Sequence, residues 1–424
     1  MTTHTAGATS PNKRFSYLQI AAIGSGFFGL SLVWAVYNTY MPLLLGRFTE
    51  SAALRGAVMG LDNLLAVFLI PVVGAWSDRT SGPLGQRLPF IAVGMPAAAL
   101  LLALLPLGAT SLWTLLAADA LFLLAMTLYR APVIALMPDH TPQAKRSTAN
   151  GIINLMGGIG GLLAFFILAP LYDLAPGYPF WLGAVLLLAA FVFLWFKTDR
   201  HPAYTEPAAR RDGRAALPQL LRDAAQLGRR SNRSKLLVLC AIFFYFIGFS
   251  GLEAQFSTYA TESLALSGGE AGLLLGFFSL AFVIAALPAG LLGTRMGKPA
   301  AMILGLLVLV PLFVVAPSIH AAGPLRLLLI AGGIAWALVN VQAYPLVADL
   351  GGATRIGFFT GMYYLFSMGA SVLAPTLAGL AMDGYGQAAL FYVCGTAFAL
   401  GCLLLWLGTR SPFDGFGKPG EEPA

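Results

Sequence analysis

The sequence predicts an all-α membrane protein of twelve spanning helices, and three observations carry that reading. Only 10% of its 424 residues are charged and 58% are hydrophobic, whereas a soluble chain carries about 25% charged residues. That leaves too little polar surface to cover a body of this size in water. The apolar residues fall into twelve continuous runs, each near the roughly 20 residues that a helix needs to cross a bilayer. Barrel strands would instead alternate with a period of two over shorter stretches. Finally, the basic residues fall almost entirely into alternate connections between the runs.

In order, the first run (16–46) follows a polar tail, 1–15, and is too long and uncleaved-looking for a signal peptide. The second (56–76) is interrupted by Asp62 and Asn63, and the third (88–108) is uniformly apolar. The fourth (112–137) holds Asp119 and Arg130, and the fifth (147–172) carries the glycine run NLMGGIGG at 154–161. Those glycines permit close helix contact; no strand precedes them and no phosphate-loop lysine follows. The sixth (179–197) closes the first half. The seventh (236–261) holds Glu253, Gln255 and Tyr259; the eighth and ninth (271–293 and 299–318) are apolar. The tenth (327–347) holds Trp336, Asn340 and Gln342, and the last two run over 356–382 and 386–408.

Placing the N-terminus inside puts all but four of the 25 Lys and Arg on tails and inner loops. The exceptions are Arg47, Arg55 and Arg326 outside and Arg130 within a run. Basic residues stay with cytoplasmic loops, so both termini are expected in the cytoplasm, in a multi-pass protein of the plasma membrane. The sequence pI of about 9.4 then reflects charge facing anionic lipid headgroups, not nucleic acid. Cys240, Cys394 and Cys402 lie inside apolar runs without metal-ligand spacing and read as small core residues. No cofactor or metal is implied, and no clustered nucleophile or base points to an enzyme.

The segment 198–234 interrupts the pattern with a basic linker, which divides the chain into bundles 1–197 and 235–424 of six runs each. The halves echo one another. ALMPDHTPQAKRSTANG after run four parallels PLVADLGGATRIGFFTG after run ten. Asp139 and Asp349, Gly151 and Gly361, and Asp173 and Asp383 are each 210 apart (349 − 139, 361 − 151, 383 − 173). Gly74 and Arg79 are matched by Gly290 and Arg295. Such a same-orientation repeat of six spans is the trace of the major facilitator fold.

The loop GAWSDRTSGPLGQRLPFI (74–91) resembles the major-facilitator loop signature G-x-x-x-D-R-x-x-x-x-x-G-x-R. Its GQRLPFI ending, YRAPVIALMPDHTPQAKRSTANGIINLMGGIGG (129–161) and WAVYNTYMPLLL (34–45) resemble the sucrose/proton symporter branch. That resemblance implies a sugar substrate, the proton as coupling ion, and a cavity between the halves near the midplane. In plant sucrose symporters an Asp in span four takes the proton and an Arg three turns later helps hold the sugar. Asp119 and Arg130 match that spacing. Eleven residues return to nearly the same helix face and rise about 16 Å, so the two are expected on one face with separate roles.

A charge at the centre of a spanning helix costs about 2.5–3.5 kcal/mol on insertion scales, so Asp62, Asp119, Arg130 and Glu253 mark a functional passage. Asp119 and Glu253 are the expected proton-coupling groups. The expected substrate contacts are Arg130, whose planar fork suits vicinal hydroxyls, with Tyr37, Asn38, Gln255, Tyr259, Trp336, Asn340 and Gln342. Trp34 and Trp336 are candidates for stacking on an apolar sugar face. Asp62, Asp78, Arg79, Arg87, Asp139 and Arg146 are the expected gating residues. His4, His140, His201 and His320 all avoid the middle of a run, which leaves coupling to carboxylates. Ile70 and Ala66 stand where melibiose-type symporters place sodium-binding Asp residues, so protons are favoured. Sugar, lipid and a monomeric carrier complete the expectation; the alternative is a proton-driven exporter of drugs or metabolites in the same fold.

Overall fold

The computed structural model describes residues 16–142, 145–200, 202, 232–351 and 355–410. Most of the expected linker 198–234 lies outside the described residues. Among them are twelve helices long and apolar enough to span a membrane. These are α1 (Tyr17–Leu45), α2 (Ala52–Arg79), α3 (Leu88–Gly108), α4 (Leu112–His140), α5 (Thr148–Leu174) and α6 (Tyr178–Lys197) in the first half. The second half has α7 (Arg233–Ser263), α8 (Gly268–Met296), α9 (Lys298–Ser318), α10 (Ala322–Leu350), α11 (Phe358–Tyr385) and α12 (Ala389–Arg410).

Serine begins several of these helices. Ser16, Ser51, Ser111 and Ser267 each turn their hydroxyl onto a free N–H of the first turn, supplying a partner the helix itself cannot. Ser111 with Thr114 and Ser267 with Glu270 complete reciprocal capping boxes. The cap at Ser51 starts α2 four residues before the expected run, so Arg55 lies in the first turn of a helix instead of in a loop. α5 contains a π-helical turn at Ala164–Leu168. Such turns insert one residue into a helix and commonly sit at functional places. Nothing in the composition of that stretch announced it.

Each half packs its own core. Val36, Tyr37, Phe122, Tyr129 and Phe180 are buried in the first, and Tyr245, Phe256, Trp336, Phe391 and Phe398 in the second. Large apolar side chains also point outward, among them Trp113 (79% exposed), Phe196 (76%) and Leu287 (74%). A surface so apolar suits lipid, which has no need of a polar coat.

The halves meet along α2 with α11 and α5 with α8, with α1 and α7 between them. Contact is tight at the end bearing the α1–α2 and α7–α8 turns, called here the far end. A methyl added at Gly56 would strike the Pro375 carbonyl oxygen at 2.1 Å, and one at Gly379 the Ala52 carbonyl at 2.3 Å. Only glycine allows such approach. Toward the other end, where α1 begins and α12 stops, the fit loosens: a methyl added at Gly74, Gly151 or Gly361 would meet nothing within 4 Å beyond its own helix among the described residues. On α2, Phe68, Val72 and Trp76 are all more than 60% exposed there. This end also carries Lys145, Arg146, Arg295 and Lys298, and is called the basic end.

Candidate substrate cavity

Between the halves lies a cavity of about 260 Å³. α1 contributes Trp34 and Asn38, one turn apart; α2 contributes Met59, Asp62 and Asn63; α4 contributes Arg130. The second half supplies Phe246, Phe249, Ser250, Glu253 and Ala254 from α7, and Ser371 and Pro375 from α11. The α7 residues follow the i, i+3, i+4, i+7 spacing of a single helix face, so the position of Glu253 carries the others with it.

The polar groups have few internal partners. Asn38 Nδ2 donates to Glu253 Oε1 at 3.2 Å, a hydrogen bond that crosses from one half to the other. Asn63 Nδ2 donates to Asp62 Oδ1 at 2.7 Å, and the Ser250 and Ser371 hydroxyls are 2.8 Å apart. The Arg130 guanidinium sits 5.8 Å from the Trp34 ring centroid. Among the described residues it forms no ion pair. A cation with unspent donors beside two carboxylates makes a surface that hydrogen-bonds a polar solute from both sides. A smaller cavity of about 160 Å³ adjoins, sharing Asn38, Phe249 and Glu253, and its walls are mostly apolar: Phe165, Leu275, Phe278, Phe282 and Trp336, with Asn340.

The expected contacts divide accordingly. Arg130 and Asn38 line the larger cavity and Asn340 and Trp336 the smaller. Phe249 stacks on Trp336 at 4.3 Å between centroids and 5° between planes, so the indole that the sequence offered for stacking already spends one face on a neighbour. Tyr37, Gln255, Tyr259 and Gln342 lie elsewhere. Tyr37 is buried in the first core, stacked with Phe122, and Tyr259 packs edge-on against Phe391. Gln255 Nε2 donates to the carbonyls of Ala52 and Pro375 at 2.8 and 3.0 Å. Gln342 Nε2 donates to the Ala289 carbonyl at 2.9 Å, and lies against Gly293, whose missing side chain leaves it room. Backbone carbonyls thus satisfy the Nε2 group of each amide in an apolar setting without a solute, while Gln255 Oε1 is buried with no partner among the described residues.

The carboxylates also rearrange. Asp62, expected at a gate, lines the large cavity beside Arg130 and Glu253. Asp119 does not reach it. Its side chain is 1% exposed, beside Tyr37, and its Oδ1 has no hydrogen-bond partner. Trp34, which packs edge-on against Tyr37, stands in the cavity wall.

The remaining expected gating residues sit at the basic end. Arg87 ties α2, α3 and α4 together: it pairs with Asp78, bonds the Ser77 hydroxyl, and reaches Asp139 Oδ2 at 3.0 Å. In the second half Lys298 pairs with Asp349, the repeat partner of Asp139. Both clusters stay within one half. Arg79 is exposed, and Arg146 is half-buried with its Nε lacking a partner among the described residues. Among the described residues, the ties made by these gating residues each stay within one half, at the loosely packed end.

A family model described as Major Facilitator Superfamily matches residues 23–261 and 238–424. The fosmidomycin resistance protein of Escherichia coli (strain K12) is 25% identical over 415 residues, covering 95% of each chain. Among solved structures, a bacterial homolog of the human lysosomal transporter Spinster, inward-facing and unoccupied, superposes with a TM-score of 0.71 at 14% identity, covering 94% of this chain and 96% of that one. The nucleoside transporter NupG gives 0.69 at 14% identity, covering 94% and 100%. The match of the family model extends through both halves, and the chain therefore belongs to the Major Facilitator Superfamily: it is a membrane transporter and not an enzyme.

Proposed function

We propose that the protein moves a small, polar, hydroxylated solute, a sugar in the first instance, across the plasma membrane by proton-coupled alternating access. One observation carries this reading: the cavity between the halves gathers Asp62, Arg130 and Glu253 around hydroxyl and amide groups. Carboxylates accept from sugar hydroxyls, the guanidinium donates to sugar oxygens, and the rings of Trp34 and Phe249 suit an apolar sugar face. With the N-terminus inside, the loose basic end opens to the cytoplasm and the packed far end is the outer gate. Coupling falls to Glu253 in the cavity wall and to Asp119 behind Trp34 and Tyr37. An uncompensated charge is costly in such a place, and taking up a proton removes it. The resemblance of residues 34–45, 74–91 and 129–161 to sucrose/proton symporters supports the sugar.

The test is uptake of labelled sucrose, maltose and glucose into proteoliposomes under an imposed pH gradient. Accumulation that collapses with the gradient is expected; a protein that accumulates none of the three is not a sugar symporter. A second reading has its own support. Arg130 is a cation without an ion-pair partner among the described residues, suited to an anionic group, and the relative matched over 95% of both chains is named for resistance to fosmidomycin. On that reading the chain exports a small anionic compound. Its expression in a sensitive bacterium then raises fosmidomycin tolerance, and Arg130→Gln abolishes the gain; unchanged tolerance counts against it.

A further inference from the structure

The internal repeat marks two carboxylates that the cavity does not use, Asp173 and Asp383. Each ends a helix at the far end, α5 and α11 respectively, and each reaches across to the other half. Asp383 Oδ1 accepts from the Ala52 N–H at 2.7 Å, and its Oδ2 from the Ser51 hydroxyl at 2.7 Å and the Ala53 N–H at 3.1 Å. Asp173 Oδ1 accepts from the Gly269 N–H at 2.9 Å, and its Oδ2 from the Ser267 hydroxyl at 2.8 Å. The second half thus holds the first turn of α2, and the first half holds the first turn of α8. Free N–H groups and the helix dipole both favour an anion at such a place, and hydrogen bonds to an ionised acceptor are the stronger kind.

Relying on the alternating-access reading above, we infer that Asp173 and Asp383 are twin latches that hold the far end shut and must both let go for it to open. Their neighbourhoods support this. A methyl at Gly269 would meet Asp173 Oδ2 at 2.3 Å, so the close seat of that carboxylate depends on glycine. Beside Asp383 a second tie crosses the halves, Arg55 to Glu262 at 2.6 Å, with Gln387 Nε2 also donating to Glu262 at 2.6 Å. Gln255 adds a third by bonding the Ala52 carbonyl. No comparable ion pair supports Asp173 among the described residues, because the nearby Glu270 is engaged with Ser267 N at 2.9 Å in its own capping box. The two latches are alike in chemistry and unequal in reinforcement. Among the described residues, loss of Asp173 leaves its side with no ion pair across the halves, whereas loss of Asp383 leaves Arg55–Glu262 in place.

The experiment measures spin-label distances across the far end, on the full chain in lipid nanodiscs. Labels go at Leu174→Cys and Tyr385→Cys, 74% and 88% exposed and in opposite halves, with the native cysteines replaced by alanine. The parent gives a short-distance population. Asp173→Asn and Asp383→Asn each shift it toward a long-distance population by about tenfold in the ratio, as expected for losing charge-assisted hydrogen bonds. Asp173→Asn shifts it further than Asp383→Asn, and the double variant empties the short population. Ser51→Ala and Ser267→Ala, which remove one donor each, give smaller shifts in the same direction and serve if the Asp variants fold poorly. A folded double variant, or folded serine variants, with the parent distribution overturns the inference. A long population in the variants with no sugar uptake leaves the latches standing and removes only the sugar. A parent whose far end never opens, under any gradient or substrate, removes alternating access and the latches with it.

Discussion

The two halves share a frame and differ in what they place in the membrane. At the helix ends the repeat is kept: Asp139 answers Asp349 and Asp173 answers Asp383, and in each pair both members bind a neighbouring helix. Within the spans the equivalence of residue type is lost. At the same offset of 210, Arg130 of α4 corresponds to Asn340 of α10 and Asp119 to Leu329 (340 − 130, 329 − 119). Asp62 of α2 corresponds to Phe278 of α8 at the 216 offset of the Gly74–Gly290 pair (278 − 62). The first half brings two of the three ionisable groups to the large cavity; the second brings Glu253 and most of the aromatic wall. The ends are alike in chemistry, while the middle is unequal: the first half faces the cavity with a guanidinium and a carboxylate, the second with one carboxylate, two serines and most of the rings. The repeat keeps its carboxylates at the helix ends, and among its intramembrane ions it diverges both at the cavity, as at Arg130 and Asn340, and behind it, as at Asp119 and Leu329.

The sharpest way to break that comparison is to exchange charges within it. Arg130→Gln is expected to lower transport of the true substrate at least about 100-fold, since a buried polar contact left unmade costs its full desolvation penalty. Arg130→Lys recovers little of this, because a point charge does not reproduce a planar fork. Asn340→Ala, at the equivalent place in the other half, is expected to cost about tenfold or less. Equal losses at the two positions would contradict the division of labour. Asp119→Asn tests the proposed coupling group separately: accumulation against a gradient is expected to fall to equilibration, while counterflow exchange, which needs no proton cycle, persists. If Asp119→Asn still concentrates solute uphill, the proton is carried elsewhere, and Glu253→Gln becomes the variant that should uncouple.

How much of this was legible beforehand depended on how many ways a residue has of being satisfied. Spans were readable because lipid imposes a length and forbids charge, which is why the twelve runs and the twelve helices agree to within a few residues. The intramembrane ions were readable for the same reason: Asp62, Arg130 and Glu253 do meet in one cavity. Their places were less so, since Asp62, read as a gating residue, lines the cavity, and Asp119, read as a proton site on the passage, lies behind Trp34. Amides were the least legible. Gln255, Gln342 and Asn38 look equivalent as polar residues in apolar helices, yet the first two bond backbone carbonyls and only Asn38 faces the cavity. A carbonyl that a close helix crossing brings within reach, at Ala52 or Ala289, leaves no mark in the sequence of the glutamine that bonds it. Phe246 and Phe249 were missed although their spacing to Glu253 was a usable signal.

The smallest expected effect, at Lys298, lies at the basic end, where the repeat keeps an ion pair but changes the cation. Arg87 bonds Asp78, Ser77 and Asp139, and its side chain is 10% exposed against 12% for Asp139. Arg87→Met strands a nearly buried carboxylate, and removing one partner of a buried pair costs about 3–5 kcal/mol; the lower part of that range is expected because both groups keep some access to water. In the second half, Lys298 and Asp349 are 31% and 44% exposed, so water already screens them, and such pairs are worth about 0–1 kcal/mol. Lys298→Met should therefore leave thermal unfolding in detergent almost unmoved, while Arg87→Met lowers the midpoint clearly. A lysine bonds as one point charge and an arginine as a fork. Three acceptors from two helices need the fork, whereas a single acceptor is served by either cation. On that ground Arg87→Lys should recover only part of the loss, and Lys298→Arg should change nothing measurable. Full recovery by Arg87→Lys would mean that charge alone, and not the joining of α2 to α4, stabilises this end of the first half.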